Sequence, residues 1–260
     1  MYYDLHAHIS PEVDDGPKAY SDAVEMARVA AEGGTSVMLT TPHRRDVTES
    51  HSVSHIRDLL ARMNGDLQAE GIGLTLLTGM ENHLDLELPE DLEAGIALPI
   101  NGSRYALVEL PFFGYPNYAE EVLFKLQLQG VTPVLAHPER IEAIQQDTGR
   151  LAAFVERGML SQVTAGSIVG CFGGKVKSLT RSLFRRNLVH VIASDTHFPS
   201  GPRSPELTPG FEAAAEIVGR ESATRMVVDT PKAIIDNEAV ELAPPRSDPS
   251  PRRWWYFWQS

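Results

Sequence analysis

The chain lacks the features that define several large classes of protein. It has one cysteine, Cys171, in 260 residues. That excludes an internal disulfide and fits a reducing compartment. No stretch approaches the roughly 20 consecutive apolar residues of a membrane-spanning helix. The opening residues MYYDLHAH hold no basic run followed by an apolar one, so no secretory signal peptide is expected. Basic charge is scarce: 23 Lys and Arg face 35 Asp and Glu, for a formal net charge of −12. A nucleic-acid partner normally requires the opposite balance. Aromatic residues make up only 7%, and all three tryptophans fall in the terminal run RRWWYFWQS. No internal repeat is visible.

What the chain does have is alternation. Short apolar runs read as strands near Tyr2–Leu5, Ser36–Thr40, Leu74–Leu77, Tyr105–Leu110, Pro133–Ala136, Ser161–Val163 and Val189–Ala193. Amphipathic stretches between them read as helices over Asp22–Glu32, Ser54–Glu70, Ala119–Gln129, Arg150–Arg157 and Lys175–Arg186. In SDAVEMARVAAEGG, Ser21 or Asp22 can cap the start, and Ala23, Met26, Ala27 and Ala30 share one face. Gly33–Gly34 stops the helix. Strand–helix alternation implies parallel strands with helical crossovers, so the expected fold is α/β and barrel-like. One domain is expected over residues 1–236. Residues 237–260, containing APPRSDPSPRR, are expected to form a Pro-rich, aromatic tail.

The candidate functional residues fall at the carboxyl ends of these strands. The first strand runs into His6 and His8, with Asp14, Asp15 and a glycine close behind. The second leads to His43, the third to Glu81 and the fourth ends in Glu109. The fifth ends in His137, followed by Glu139 and Arg140, and the seventh delivers Asp195 and His197. Loops from all strands of a parallel barrel converge at this edge. Successive side chains alternate along a strand, so His6 and His8 share a side, as do Asp195 and His197. Together His6, His8, Asp15, His43, Glu81, Glu109, His137, Asp195 and His197 are more ligands than one ion needs. Two or three ions bridged by a carboxylate would use them. Mixed imidazole and carboxylate donors favour Mn, Fe or Zn over Mg or Ca.

The stretches DLHAHISPEVDDGP, TTPHRR, TGMEN, NGSRYALVELP, GVTPVLAHPER, QVTAGSIVGCFG and LVHVIASDTH resemble the PHP (polymerase and histidinol phosphatase) superfamily. They are most similar to its branch of bacterial manganese-dependent protein-tyrosine phosphatases of capsular and extracellular polysaccharide synthesis. The resemblance implies a distorted TIM-like (β/α)7 barrel. It also implies a centre of three metal ions, Mn2+ with Fe or Zn as alternatives, held by the nine side chains just named. Arg140 and Arg203 match the family's phosphate-binding arginines. The substrate implied is a phosphotyrosine protein, a membrane-associated tyrosine kinase. The location implied is the cytoplasm. The resemblance gives no guide to the aromatic tail, whose Trp, Tyr and Arg residues make it a candidate contact with the inner face of the membrane. The tail has a competing reading as a packing or assembly element.

Chemistry accounts for these residue types. Phosphate monoesters hydrolyse extremely slowly unaided. A metal lowers the pKa of its bound water towards about 7, and paired ions clamp phosphoryl oxygens. An arginine fork binds a phosphoryl group in two places, which lysine cannot do. Cys171 is not expected to be a nucleophile, because Lys177 stands where cysteine-dependent phosphatases place an arginine. His190 reads as a core histidine. Asp14 is expected to shape the DDG turn. Arg44 and Arg45 read equally as an anion-receiving pair or a solvated loop. The alternatives are a PHP phosphatase acting on histidinol phosphate or a sugar phosphate, a PHP nuclease, an HxH amidohydrolase, and a non-catalytic metal-stabilised binding module. The acidic charge balance counts against the nuclease.

Overall fold

The computed structural model describes residues 1–246. Its strands are β1 (Tyr2–Ala7), β2 (Thr35–Thr40), β3 (Thr75–Thr78), β4 (Asn82–His83), β5 (Tyr105–Glu109), β6 (Thr132–Ala136), β7 (Leu160–Thr164) and β8 (Val191–Ala193). Every pairing between named strands is parallel. β1, β2 and β3 form one sheet, and β4 to β8 form another in chain order. The alternation thus produces the α/β class it implies. Seven of these strands lie where apolar runs predict them. The extra one, β4, is only two residues long and has no periodicity to reveal it. Tertiary contacts hold it: Asn82 pairs with Val108, and its Nδ2 donates to the carbonyls of Met80 (3.0 Å), Leu98 (3.1 Å) and Leu107 (3.0 Å).

The two sheets meet at both ends. The amide of Asp195 donates to the carbonyl of His6, and that of His8 to Thr196, each at 2.9 Å. At the other end the amide of Arg44 donates to the carbonyl of Glu81 at 3.0 Å, and that of Glu81 to Pro42 at 3.2 Å. One apolar cluster takes Leu5, Leu39, Leu107, Val134, Leu160 and Val191 from strands of both sheets. These bonds hold the carboxyl ends of β1, β2, β3 and β8 together, so residues distant in sequence share one edge.

The helices cover the outside. The first, Tyr20–Glu32, buries Ala23, Met26, Ala27 and Ala30, the face its spacing predicts. It starts earlier than expected. Ala19 is its N-cap and makes no side-chain cap, so Ser21 and Asp22 lie in the first turn instead. There Asp22 favours the positive end of the helix dipole. Helix Thr208–Val218 has no counterpart in the sequence reading, because Pro209 and Gly210 at its start resemble a loop. Gly210 is there for close approach: a Cβ on it would lie 2.6 Å from that of Ala165.

Part of the expected tail lies against the domain. Tyr105 Oη donates to the carbonyl of Glu238 (2.7 Å), Asn187 to Pro244 (3.1 Å), and the amide of Arg246 to Arg186 (2.8 Å). The aromatic run that ends the chain lies outside the described residues. Among the described residues no helix is long and apolar enough to cross a membrane.

Candidate metal centre

Glu81 stands at the centre of the carboxyl edge. Its Oε1 lies 2.8 Å from His137 Nε2 and 3.3 Å from His6 Nε2. Its Oε2 lies 3.0 Å from His43 Nδ1 and 3.3 Å from His8 Nε2. One carboxylate therefore faces four imidazoles, two on each oxygen. Around it, Asp15 Oδ1 approaches His197 Nε2 (3.1 Å) and His43 Nε2 (3.5 Å), and Glu109 approaches His137 Nε2 (3.5 Å). Asp195 Oδ1 lies 3.7 Å from His6 Nε2 and 3.8 Å from that of His8. Three sets, His8–Asp15–His43–His197, His6–His8–Glu81 and His43–Glu81–Glu109, each bring their ligand atoms within 4.8 Å of one another.

The rings are aimed by partners behind them. His6 Nδ1 faces Gln162 Oε1 at 2.8 Å, which commits that nitrogen as a donor and leaves Nε2 bare towards the cluster. His8 Nδ1 likewise donates to Asp14 Oδ2 at 2.7 Å. His197 Nδ1 donates to the carbonyl of Asp195 at 3.0 Å. Fixing one imidazole nitrogen to present the other is how proteins orient metal-binding histidines. The consequence is unfavourable without a cation, since the Nε2 atoms of His6 and His8 face each other at 3.2 Å. A set of imidazole nitrogens interleaved with carboxylates fits divalent ions, which would replace the protons these nitrogens otherwise hold. The backbone supports the same reading. His137 and Asp195 adopt positive φ (32° and 53°), conformations that cost energy in residues other than glycine and that concentrate at functional sites.

The electrostatics follow from the packing. Burial opposes the charged form of His8, but its hydrogen bonds to Asp14 and Glu81 win and push it to about 10. Burial likewise opposes His43, whose bonds to Asp15 and Glu81 push it to about 11. Burial would raise Glu81, yet the charge of His6 and hydrogen bonds from His137 and His43 hold it well below the usual carboxylate range. Burial, then the charge of Glu81, raises Glu109. Protons on imidazoles thus balance the acids where cations would otherwise do so.

Arg140 and Arg203 both end on Asp195. Arg140 Nη1 donates to Oδ2 and Arg203 Nη2 to Oδ1, the latter at 2.9 Å. Arg203 arrives on the loop after His197, whose amide donates to its carbonyl at 3.0 Å. All the strand-end residues named from the sequence therefore lie in one neighbourhood. Gln162 was not among them. Its signal is weak: a polar side chain in a short, wholly buried strand, which needs a partner. Asp14 does shape its turn, accepting from the amide of Gly16 at 2.9 Å, and it also orients His8. Arg44 is neither an anion receiver nor solvated. It is buried and pairs with Asp85 and Asp91. Cys171 is an exposed free thiol.

Parallel strands that gather an imidazole–carboxylate cluster with flanking arginines at their carboxyl edge place the chain in the α/β class that PHP-like and amidohydrolase-like proteins share. Within that class the family model described as "Capsular polysaccharide synthesis, CpsB/CapC" matches residues 2–236, and the chain belongs to this family. It is 38% identical over 194 residues to the tyrosine-protein phosphatase YwqE of Bacillus subtilis, covering 75% of this chain and 76% of that one. It is 30% identical to the putative tyrosine-protein phosphatase CapC of Staphylococcus aureus, covering 96% and 98%. Among solved structures it superposes at a TM-score of 0.89 and 33% identity, covering 94% and 98%, on one from a study of YwqE and Streptococcus pneumoniae CpsB. Those proteins are described there as metal-dependent tyrosine phosphatases. A β-aspartyl dipeptidase of Fervidobacterium islandicum, at a TM-score of 0.55 and 12% identity, shares the fold alone.

Proposed function

We propose that this chain is a metal-dependent protein-tyrosine phosphatase whose substrate is a bacterial tyrosine kinase controlling capsule or exopolysaccharide synthesis. One observation carries the reading: Glu81 faces four imidazoles while two arginines converge on Asp195 beside them. The residues that would hold ions are His6, His8, Asp15, His43, Glu81, Glu109, His137, Asp195 and His197. Three ions, with Mn2+ as the physiological metal, is the occupancy we assign. The chemistry that divalent cations supply in such a centre is a nucleophile from water at neutral pH and neutralisation of phosphoryl charge.

The chain's own residues do the rest. Arg140 and Arg203 bind the phosphoryl oxygens through forked N–H groups, and Asp195 keeps the two forks side by side. The leaving phenol has a pKa near 10, so phenolate departs without a strong general acid. A cleft of about 480 Å3 beside Glu109, walled by Phe113, Tyr115 and Tyr118, offers apolar surface to an aryl group. We take residues 1–236 as the catalytic domain and 237–260 as a tail, and the bonds between the ends of β1 and β8 support reading the two sheets as a distorted barrel. The location that fits such a substrate is the cytoplasm, within reach of a membrane-associated kinase.

The test is turnover of a phosphotyrosine peptide beside phosphoserine peptide, histidinol phosphate and a DNA 3′ end, each with and without Mn2+. Phosphotyrosine should be preferred. Chelation should abolish activity and Mn2+ should restore it better than Mg2+. Cys171→Ser should retain most activity, whereas His137→Ala or Asp195→Ala should lower kcat by orders of magnitude. Undiminished turnover by metal-free protein would end the proposal. Preference for histidinol phosphate would instead make it a metabolite phosphatase.

A further inference from the structure

Arg140 leaves the end of β6 on the short turn Pro138–Arg140. Its guanidinium carbon sits 4.5 Å from the centroid of the Phe172 ring and 5.0 Å from that of Phe112. The rings come from separate places: Phe112 follows β5, and Phe172 lies in the loop between helices Ala165–Val169 and Gly174–Arg185. That loop is shaped to deliver its ring. Gly170 and Gly173 flank it at φ 105° and 91°, and a Cβ on Gly166 would come within 3.3 Å of Phe172 Cε2. We propose that Phe172, with Phe112, is a positioning residue: the two rings hold the Arg140 guanidinium in the orientation that accepts a phosphoryl group.

A ring face attracts a guanidinium through its quadrupole without using any of its N–H donors. Among the described residues, the side-chain hydrogen bonds of Arg140 use only Nη1, to Asp195. Contact with two rings and one carboxylate removes most of the torsional freedom of a long side chain. It leaves the remaining N–H edge committed to nothing but a ligand. Phe112 also stacks on His137, with centroids 5.3 Å apart and planes within 10°. Changing Phe112 would disturb a proposed metal ligand, so Phe172 is the informative position. Its role explains why the CFGG loop of the chain carries an aromatic beside its free cysteine.

This inference rests on Arg140 holding the phosphoryl group, and the experiment separates the two. In the metal-loaded enzyme, Phe172→Leu and the similar-sized Phe172→Met should weaken inhibition by inorganic phosphate about tenfold. They should lower kcat/KM for a small aryl phosphate to match. Phe172→Tyr should restore both. In an Arg140→Ala background the same substitutions should change neither quantity further, because their effect passes through Arg140. Equal losses with and without Arg140 would overturn the clamp, as would wild-type phosphate affinity in Phe172→Met while Arg140→Ala is impaired. Wild-type phosphate affinity in Arg140→Ala itself would overturn the role of Arg140, and the clamp with it.

Discussion

Arg140 illustrates how much one side chain must satisfy. It is planar, charged, bonded to Asp195 and packed on two rings. Lysine at this position keeps the charge but loses both the fork and the stacking plane. Arg140→Lys should therefore reduce kcat/KM for an aryl phosphate by about tenfold or more, with little change in melting temperature. Wild-type steady-state kinetics in that variant would make Arg140 a mere ion-pair partner of Asp195. His190 is a different case, remote in role from the cluster. It is buried, and its Nδ1 accepts from the amide of Ser161 at 3.0 Å. Burial pushes it down from 6.5 to about 4. The unfolded chain thus binds its proton at a higher pH than the folded one. Its contribution to stability is present above about 6.5 and is lost as pH falls towards 4, by about 3 kcal/mol. Denaturant unfolding of wild type and His190→Gln at pH 7 and pH 4.5 should show the stability gap closing or reversing at the lower pH. A gap that does not change with pH would contradict the assignment.

At the scale of an element, the turn after β1 does two jobs with adjacent acids. Asp14 turns inward to His8 and accepts from Gly16, while Asp15 faces outward to His43 and His197. Gly16 makes this possible, since a Cβ there would lie 2.5 Å from the carbonyl oxygen of His8. That contact is with backbone and cannot be relieved by a rotamer change. Gly16→Ala should cost about 1–3 kcal/mol of stability. It should also weaken Mn2+ binding, because moving the turn displaces Asp15 and the partner of His8 together. Calorimetric titration of the folded variant with Mn2+ checks this. Unchanged affinity would mean that the turn adapts without moving its acids. Other elements behave more simply: the helix Tyr20–Glu32 follows from apolar spacing, and its end from a glycine pair.

Across the whole molecule, the centre joins segments that would otherwise repel. His6, His43, Glu81, Glu109, His137 and Asp195 come from the ends of separate strands, and the acids are balanced without metal by protons on imidazoles and, at Asp195, by Arg140 and Arg203. Ions that bind the folded state alone stabilise it by mass action, about 2.7 kcal/mol per site at a concentration 100 times the Kd. For a domain of this size that corresponds to a rise in Tm of roughly 5–10 °C. Scanning calorimetry of chelator-treated protein with and without Mn2+ should show a rise of at least this size. No shift would mean that the cluster binds the ion as weakly folded as unfolded.

The α/β class, the places of seven strands and the strand-end positions of the cluster residues were legible in the sequence. Period-two and helical spacings are local, and parallel strands place every carboxyl end on one edge. Arg140 and Arg203 came from motif resemblance, not from spacing. Tertiary structure alone decided the rest. Asn82 forms a two-residue strand because the distant carbonyls of Leu98 and Leu107, with that of nearby Met80, hold its side chain, and no local pattern records that. Gln162 aims His6 across 156 positions of sequence. Arg44 is buried because Asp85 and Asp91 happen to meet it, though its own neighbourhood reads as a polar loop. Phe172 is an unremarkable loop aromatic until folding lays it on Arg140. Local periodicity encodes which face of an element is apolar, but the partner of a buried polar or stacked group is set by long-range closure, which leaves no period in the sequence.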